Sequence, residues 1–166
     1  MVVDSAHCVT PTLPADYLFF SFHPYKPICT SDGGMISTDS GAADKYFRSY
    51  RNFGRQHRGK TYDIAQEGFK FYMNNLNATI GLTQLKHYIT QVKARERACA
   101  EWAKLYPVLP HDPNSSYYFA TALVENATEL MEKNNISRHY PMLHTTKFYG
   151  RTRNISLPRL ESLHSK

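Results

Sequence analysis

The chain of 166 residues predicts an α/β fold, and three observations carry that expectation. Short stretches rich in Val, Phe and Tyr, at residues 2–4 and 17–22, end in polar or glycine-bearing turns, as strands do. Apolar residues then recur at steps of three and four from residue 75 to about 106, which marks a long helix. Beyond it, strand-like and helix-like stretches make up a smaller α+β unit. The expected organisation is a larger domain over 1–74, an interdomain helix over 75–106 and a partial small domain over 107–166.

In order, Val2 and Val3 form a short buried strand that delivers Asp4 at its carboxyl end, where ligands of open α/β sheets gather. A Pro-rich connector over 10–16 leads into the aromatic strand 17–22, which Ser21 closes on its polar side. The turn that follows holds Lys26 between Pro24 and Pro27, and proline fixes φ and restricts the residue before it. One lysine is therefore presented on stiff backbone. Such a lysine is either a solvated surface residue beside a turn or, if partly desolvated, an amine able to form a Schiff base with a carbonyl compound. Gly33 and Gly34 end the turn, and a strand is expected over 35–38.

Asp39 and Ser40 supply a cap for a helix over about 42–50, whose Ala43, Tyr46, Phe47 and Tyr50 are expected to face the core. Residues 51–67 read as a polar loop, a mobile cover or partner contact. On the long helix, about 45 Å at the helical rise, Ala78, Leu82, Leu85, Ile89, Val92, Cys99 and Ala103 form the expected apolar face. After a linker over 107–114, residues 115–124 alternate like a half-buried strand, and Asn126 to Glu129 reads as a capping box for a helix to about Lys133. A strand over 139–143 and a helix near Leu160 complete the expectation.

Composition bounds the function. Hydrophobic residues make up 42% and charged residues 20%, ordinary values for a globular protein. Cys8, Cys29 and Cys99 are odd in number and contain no CxxC pair, so neither a disulfide framework nor a zinc site is expected, and a reducing, cytoplasmic compartment fits. His139 and His144 have no metal-ligand spacing of the strong kinds. Asn-x-Ser/Thr triplets begin at Asn77, Asn114, Asn126, Asn135 and Asn154 and read as incidental in a chain that opens with no signal peptide. No apolar run approaches the ~20 residues of a membrane span. The net charge of +6 is densest over 48–60, where a solvated loop and a loop beside a diphosphate-handling site are the two readings. Without a helix-turn-helix, finger or RNP motif, nucleic-acid binding is not expected.

Three ordered motifs give the chain a resemblance. Ser21-Phe22-His23-Pro24-Tyr25-Lys26, followed by Asp32-Gly33-Gly34-Met35, resembles the lysine-loop signature of the DegT/DnrJ/EryC1/StrS sugar aminotransferases. The opening MVVDSAHC is similar to that family's strand ending in Asp-Ala/Ser-Ala-His/Gln, and the GFKFYMNNLNATIGLTQL of 68–85 is similar to the segment that opens its long helix. The resemblance implies a fold-type I pyridoxal 5'-phosphate (PLP) enzyme. It places the cofactor on Lys26, sets Asp4 against the pyridine nitrogen, puts His7 close to the ring and assigns Ser21 to the phosphate. Retention of the lysine sets the chain apart from the related dehydratases, which carry histidine there.

The family's reaction implies a nucleotide-linked keto sugar as acceptor and an amino acid, glutamate in the common case, as donor. A complete member is more than twice as long, so the resemblance implies an internal or carboxyl-terminal piece. It would work as a homodimer or in association with a missing amino-terminal half. Tyr72 stands where many members place Asn, Arg or His beside the neighbouring subunit's phosphate, and the interval between Asp4 and Ser21 is shorter than in many members. The alternative is a non-catalytic remnant or interaction subunit that docks on a full-length aminotransferase.

Overall fold

The computed structural model describes residues 1–9, 14–58, 61–136, 139–140 and 146, and is mixed α/β. The strand and helix expected over 139–143 and near Leu160 lie largely or wholly outside the described residues. Contacts divide the chain into one unit of Met1–Trp102 with Pro110–Ala120, and a second of Ala103–Leu109 with Thr121–Lys166.

The first unit is built on a three-stranded sheet in the order β1 (Val2–Asp4), β2 (Tyr17–Ser21), β3 (Gly34–Ser37). β1 runs parallel to β2 with Asp4 opposite Phe19, and β3 runs antiparallel to β2 with Gly34 opposite Ser21. Strand geometry sends successive side chains of β2 to opposite faces, so Leu18 and Phe20 are buried while the equally apolar Phe19 points outward. β1 was expected to be buried, yet Val2 is 66% exposed, because among the described residues this strand pairs only with β2. Among the described residues, Pro27, Ile28, Tyr88 and Cys99 are buried as well.

Helix α1 (Gly41–Tyr50) starts where expected, with the Ser40 hydroxyl accepting the Ala43 N–H at 3.3 Å. Its predicted core face is only half-buried, and Tyr46 is exposed. The aromatic residues instead meet one another: Tyr50 packs against Tyr46, Phe69 and Phe71 at ring separations of 5.8, 5.6 and 6.4 Å. The segment expected to be a loop contains a hairpin, β4 (Arg55–Arg58) with β5 (Thr61–Ile64), Arg55 opposite Ile64. Gly54 makes its entry possible. It holds φ +69°, and a Cβ there would lie 1.8 Å from the Gln66 carbonyl oxygen.

The single helix expected over 75–106 is two helices, α2 (Asn75–Leu85) and α3 (Tyr88–Ala103). A tight turn at Lys86 and His87 separates them, closed by the His87 N–H donating to Gln84 O at 2.9 Å. No proline or glycine sits there. The break lies between two tertiary anchors, Gln84 on the backbone of Cys29 and Tyr88 on that of Val9. The inward face also differs from the predicted one. Ala78, Gly81, Gln84, Tyr88, Val92, Arg95 and Cys99 turn inward, whereas Leu82, Leu85, Ile89 and Ala103 are exposed.

Residues 115–124, expected as a strand, form none among the described residues. Tyr117 adopts φ 52°, which ends an extended run, and its N–H bonds back to the Ser115 hydroxyl at 3.0 Å. In the second unit, Val108 bridges Ala122 and the Leu109 N–H donates to Thr121 O at 2.7 Å. Helix α4 (Ala127–Lys133) follows Asn126 as predicted, though the Asn126 side chain makes no capping hydrogen bond.

Candidate active site

Parallel pairing of β1 and β2 sends both strands out of the sheet at the same end. Asp4 and Ser21, the last residue of each, therefore lie on one edge, the edge where open α/β sheets bind their ligands. Asp4 is exposed there, with Oδ1 accepting the Ala6 N–H at 2.9 Å, which fixes the carboxylate against its own turn. Ser5 beside it is buried and donates its N–H to Phe19 O at 2.8 Å, so β1 is held to β2 up to the site. The Ser21 hydroxyl oxygen accepts the His23 N–H at 3.4 Å, leaving its own proton to be donated elsewhere.

The lysine sits on a β-turn. His23, Pro24, Tyr25 and Lys26 close it through the Lys26 N–H on His23 O at 2.9 Å, with proline in the second position that such turns favour. The loop is then locked at its base: Phe22 donates to Gly33 O and Thr30 donates to Phe22 O, each at 3.0 Å. Thr30 has no exposed surface and Ile28 is 4% exposed, so the turn stands on packed side chains while Lys26 itself is half-buried. Gln84 of α2 grips the backbone of Cys29 from outside the loop.

His7 and Lys26 meet on a residue that the sequence did not single out. The ring of Tyr118 stacks on the His7 imidazole at 4.5 Å and 15°, and the Lys26 Nζ lies 5.7 Å from the centre of the same ring. The Tyr118 hydroxyl donates to Tyr25 O, and the Ser116 hydroxyl donates to His7 O. Thus all four residues expected at the site gather at one end of the sheet, Asp4 and Ser21 through their strands, His7 and Lys26 through a shared ring. The fit to PLP follows from the same features. There is a carboxylate at one strand end, a hydroxyl with its proton to give at the other, a half-buried amine on a fixed turn, and a planar aromatic ring already accommodated against His7.

A depression of about 820 Å³ lies elsewhere, lined by Lys45, Arg48, Ser49, Arg55 and Tyr72 among others. Arg48 is engaged there with Asp44 at 2.8 Å, which raises the affinity of its guanidinium for its proton. Among the described residues no cluster of three or more His, Cys, Asp or Glu side chains could hold a metal ion. No helix of the described residues is long and apolar enough to cross a membrane.

Residues 13–159 match the model of the DegT/DnrJ/EryC1/StrS aminotransferase family. A curated relative from Helicobacter pylori, a UDP-4-amino-4,6-dideoxy-N-acetyl-beta-L-altrosamine transaminase, is 26% identical over 148 residues, which are 89% of this chain and 35% of that protein. Among solved structures, H. pylori PseC, an aminotransferase involved in pseudoaminic acid biosynthesis, superposes with a TM-score of 0.79 at 21% identity, over 99% of this chain and 52% of that one. The sugar aminotransferase Spr1654 of Streptococcus pneumoniae, in its PMP-form, gives a TM-score of 0.77 at 21% identity, over 99% and 49%. The chain thus spans about a third of the length of the curated relative and half of the solved ones.

Proposed function

The chain belongs to the DegT/DnrJ/EryC1/StrS aminotransferase family, and from that premise we propose that it is the lysine-bearing portion of a PLP-dependent, cytoplasmic transaminase acting on a nucleotide-linked keto sugar. The observation that carries this reading is the convergence of Asp4, His7, Ser21 and Lys26 at the carboxyl ends of two neighbouring parallel strands. Bound PLP supplies an electrophilic aldehyde and an electron-accepting ring. Lys26 Nζ would hold the cofactor and, once released, move a proton to and from the α carbon of the amino donor, with glutamate as the expected donor. The Asp4 carboxylate would hold a proton on the pyridine nitrogen, the Ser21 hydroxyl would donate to the phosphate, and His7 would orient the ring.

The working assembly in this proposal is a homodimer or an association with a chain that carries the amino-terminal half of the fold. The second reading is a non-catalytic subunit that docks on a full-length aminotransferase. The test is borohydride reduction of the chain with PLP, alone and together with the amino-terminal half of a full-length relative, followed by peptide mapping. Phosphopyridoxyl label on Lys26, absent from Lys26→Ala, is the expected result. Label spread over surface lysines and unchanged in Lys26→Ala would overturn the catalytic reading in favour of the docking subunit.

A further inference from the structure

Tyr118 reaches the site from 92 residues beyond Lys26 and is held there by several contacts. Its ring is stacked on His7, its hydroxyl donates to the carbonyl of Tyr25, and Phe119 packs edge-on against both His7 at 5.2 Å and Tyr118 at 4.4 Å. Ser116, 3% exposed, fixes the start of this segment by donating its hydroxyl proton to His7 O. The Lys26 ammonium lies over the same ring, 5.7 Å from its centre, a distance at which the π face attracts a cation.

We propose that Tyr118 is a built-in occupant of the site: its ring takes the place against the His7 imidazole and beside the Lys26 amine, and must swing aside when a flat aromatic cofactor takes that place. The inference rests on the proposed function in naming what displaces the ring. The occupancy itself rests on the contacts above. A place that accepts the phenol face-to-face against an imidazole accepts a pyridine of similar size, and both cannot lie there together. The hydroxyl bond to Tyr25 O ties the ring to the lysine turn, so displacement frees the Lys26 amine and slackens the turn in one movement. In this arrangement Tyr118 is a positioning residue for Lys26, and it keeps the amine engaged until the cofactor arrives.

The test measures Lys26 directly. In the purified chain, trinitrobenzenesulfonate modification of Lys26, in which the amine displaces sulfite, is followed by mass spectrometry in wild type, Tyr118→Leu and Tyr118→Phe, with circular dichroism confirming the fold. Tyr118→Leu is expected to react about two- to fivefold faster, the factor that an exposed cation–π contact corresponds to. Tyr118→Phe, which keeps the ring, is expected to stay closer to wild type. As a measurement that needs no variant, nitration of Tyr118 by tetranitromethane is expected to rise once PLP has been attached to Lys26 by reduction. Equal Lys26 reactivity in all three proteins, or Tyr118 nitration unchanged after attachment, overturns the occupant role. If Lys26 takes up no PLP while Tyr118 still governs its trinitrophenylation, the proposed function falls and the occupancy stands.

Discussion

The side-chain amide of Gln84 holds the backbone of Cys29 through both of its peptide groups. Oε1 accepts the Cys29 N–H at 2.8 Å, and Nε2 donates to the Cys29 carbonyl at 2.5 Å. Glutamine on α2 thus does for the lysine loop what a neighbouring strand would do, three residues beyond Lys26. Gln84→Ala leaves two part-buried backbone groups without these partners, at a cost of about 1–3 kcal/mol. Gln84→Glu keeps an acceptor but sets a carboxylate oxygen against a carbonyl, so it is expected to be no better. Urea midpoints of the two variants check this, and a midpoint equal to wild type for Gln84→Ala would show the clamp to be energetically idle.

Gly81 tests the packing behind the loop. A methyl added there would lie 2.9 Å from Thr30 Cγ2, and Thr30 has no exposed surface into which to retreat. Helix propensity favours alanine by about 1 kcal/mol, whereas overpacking costs about 1–3 kcal/mol. Gly81→Ala is expected to lower the thermal midpoint, and Gly41→Ala, with nothing within 4 Å of the added methyl, is expected to hold or raise it. A rise in both would sink the argument.

Tyr88 makes stability depend on alkaline pH. Burial raises the affinity of its hydroxyl for its proton above the ordinary value of 10.0; the Val9 N–H opposes this, Cys8 adds to it and Arg95 opposes it. A raised value in the folded chain means stability that is fully present below pH 10.0 and is lost as pH rises through the folded value. Tyr88→Phe is expected to be less stable near neutrality, since the Val9 N–H loses its 3.0 Å acceptor, and to show a shallower alkaline decline. Parallel stability curves for the two proteins between pH 9 and 11 would contradict this.

Ser21 separates phosphate recognition from ring recognition. Loss of its hydroxyl in Ser21→Ala is expected to weaken PLP binding by about ten- to hundredfold, the worth of one hydrogen bond to a charged partner. Binding of pyridoxal, which lacks the phosphate, is expected not to change. Equal weakening of both ligands in a titration followed by fluorescence would assign Ser21 to the turn alone.

What the sequence revealed was local chemistry. The aromatic strand that starts at Tyr17, the Ser40 cap and the lysine turn with its two prolines each follow from neighbouring residues, and the structure keeps them. The hairpin of β4 and β5 is hidden because β4 carries no apolar residue and the alternation of β5, with Tyr62 and Ile64, spans only four exposed residues. The inward face of α2 and α3 was misjudged because Leu82, Leu85 and Ile89 carry the apolar signal, while the contacts go through Gly81, Gln84 and Tyr88. Local alternation over residues 115–124 predicts a strand that includes Tyr118. The left-handed backbone of Tyr117 and a stacking partner 111 residues away, His7, decide its position, and neither is visible in a local pattern.

The turn at Lys86 and His87 gives the helical backing of the site two separate levers. The one ahead of it, α2, seizes the lysine loop at Cys29, and the one behind it, α3, seizes the histidine segment at Val9. A push arriving along α3 therefore meets the imidazole first and passes to the amine only through the Tyr118 ring that both touch, so that helix acts on one wall of the cleft directly and on the other at second hand.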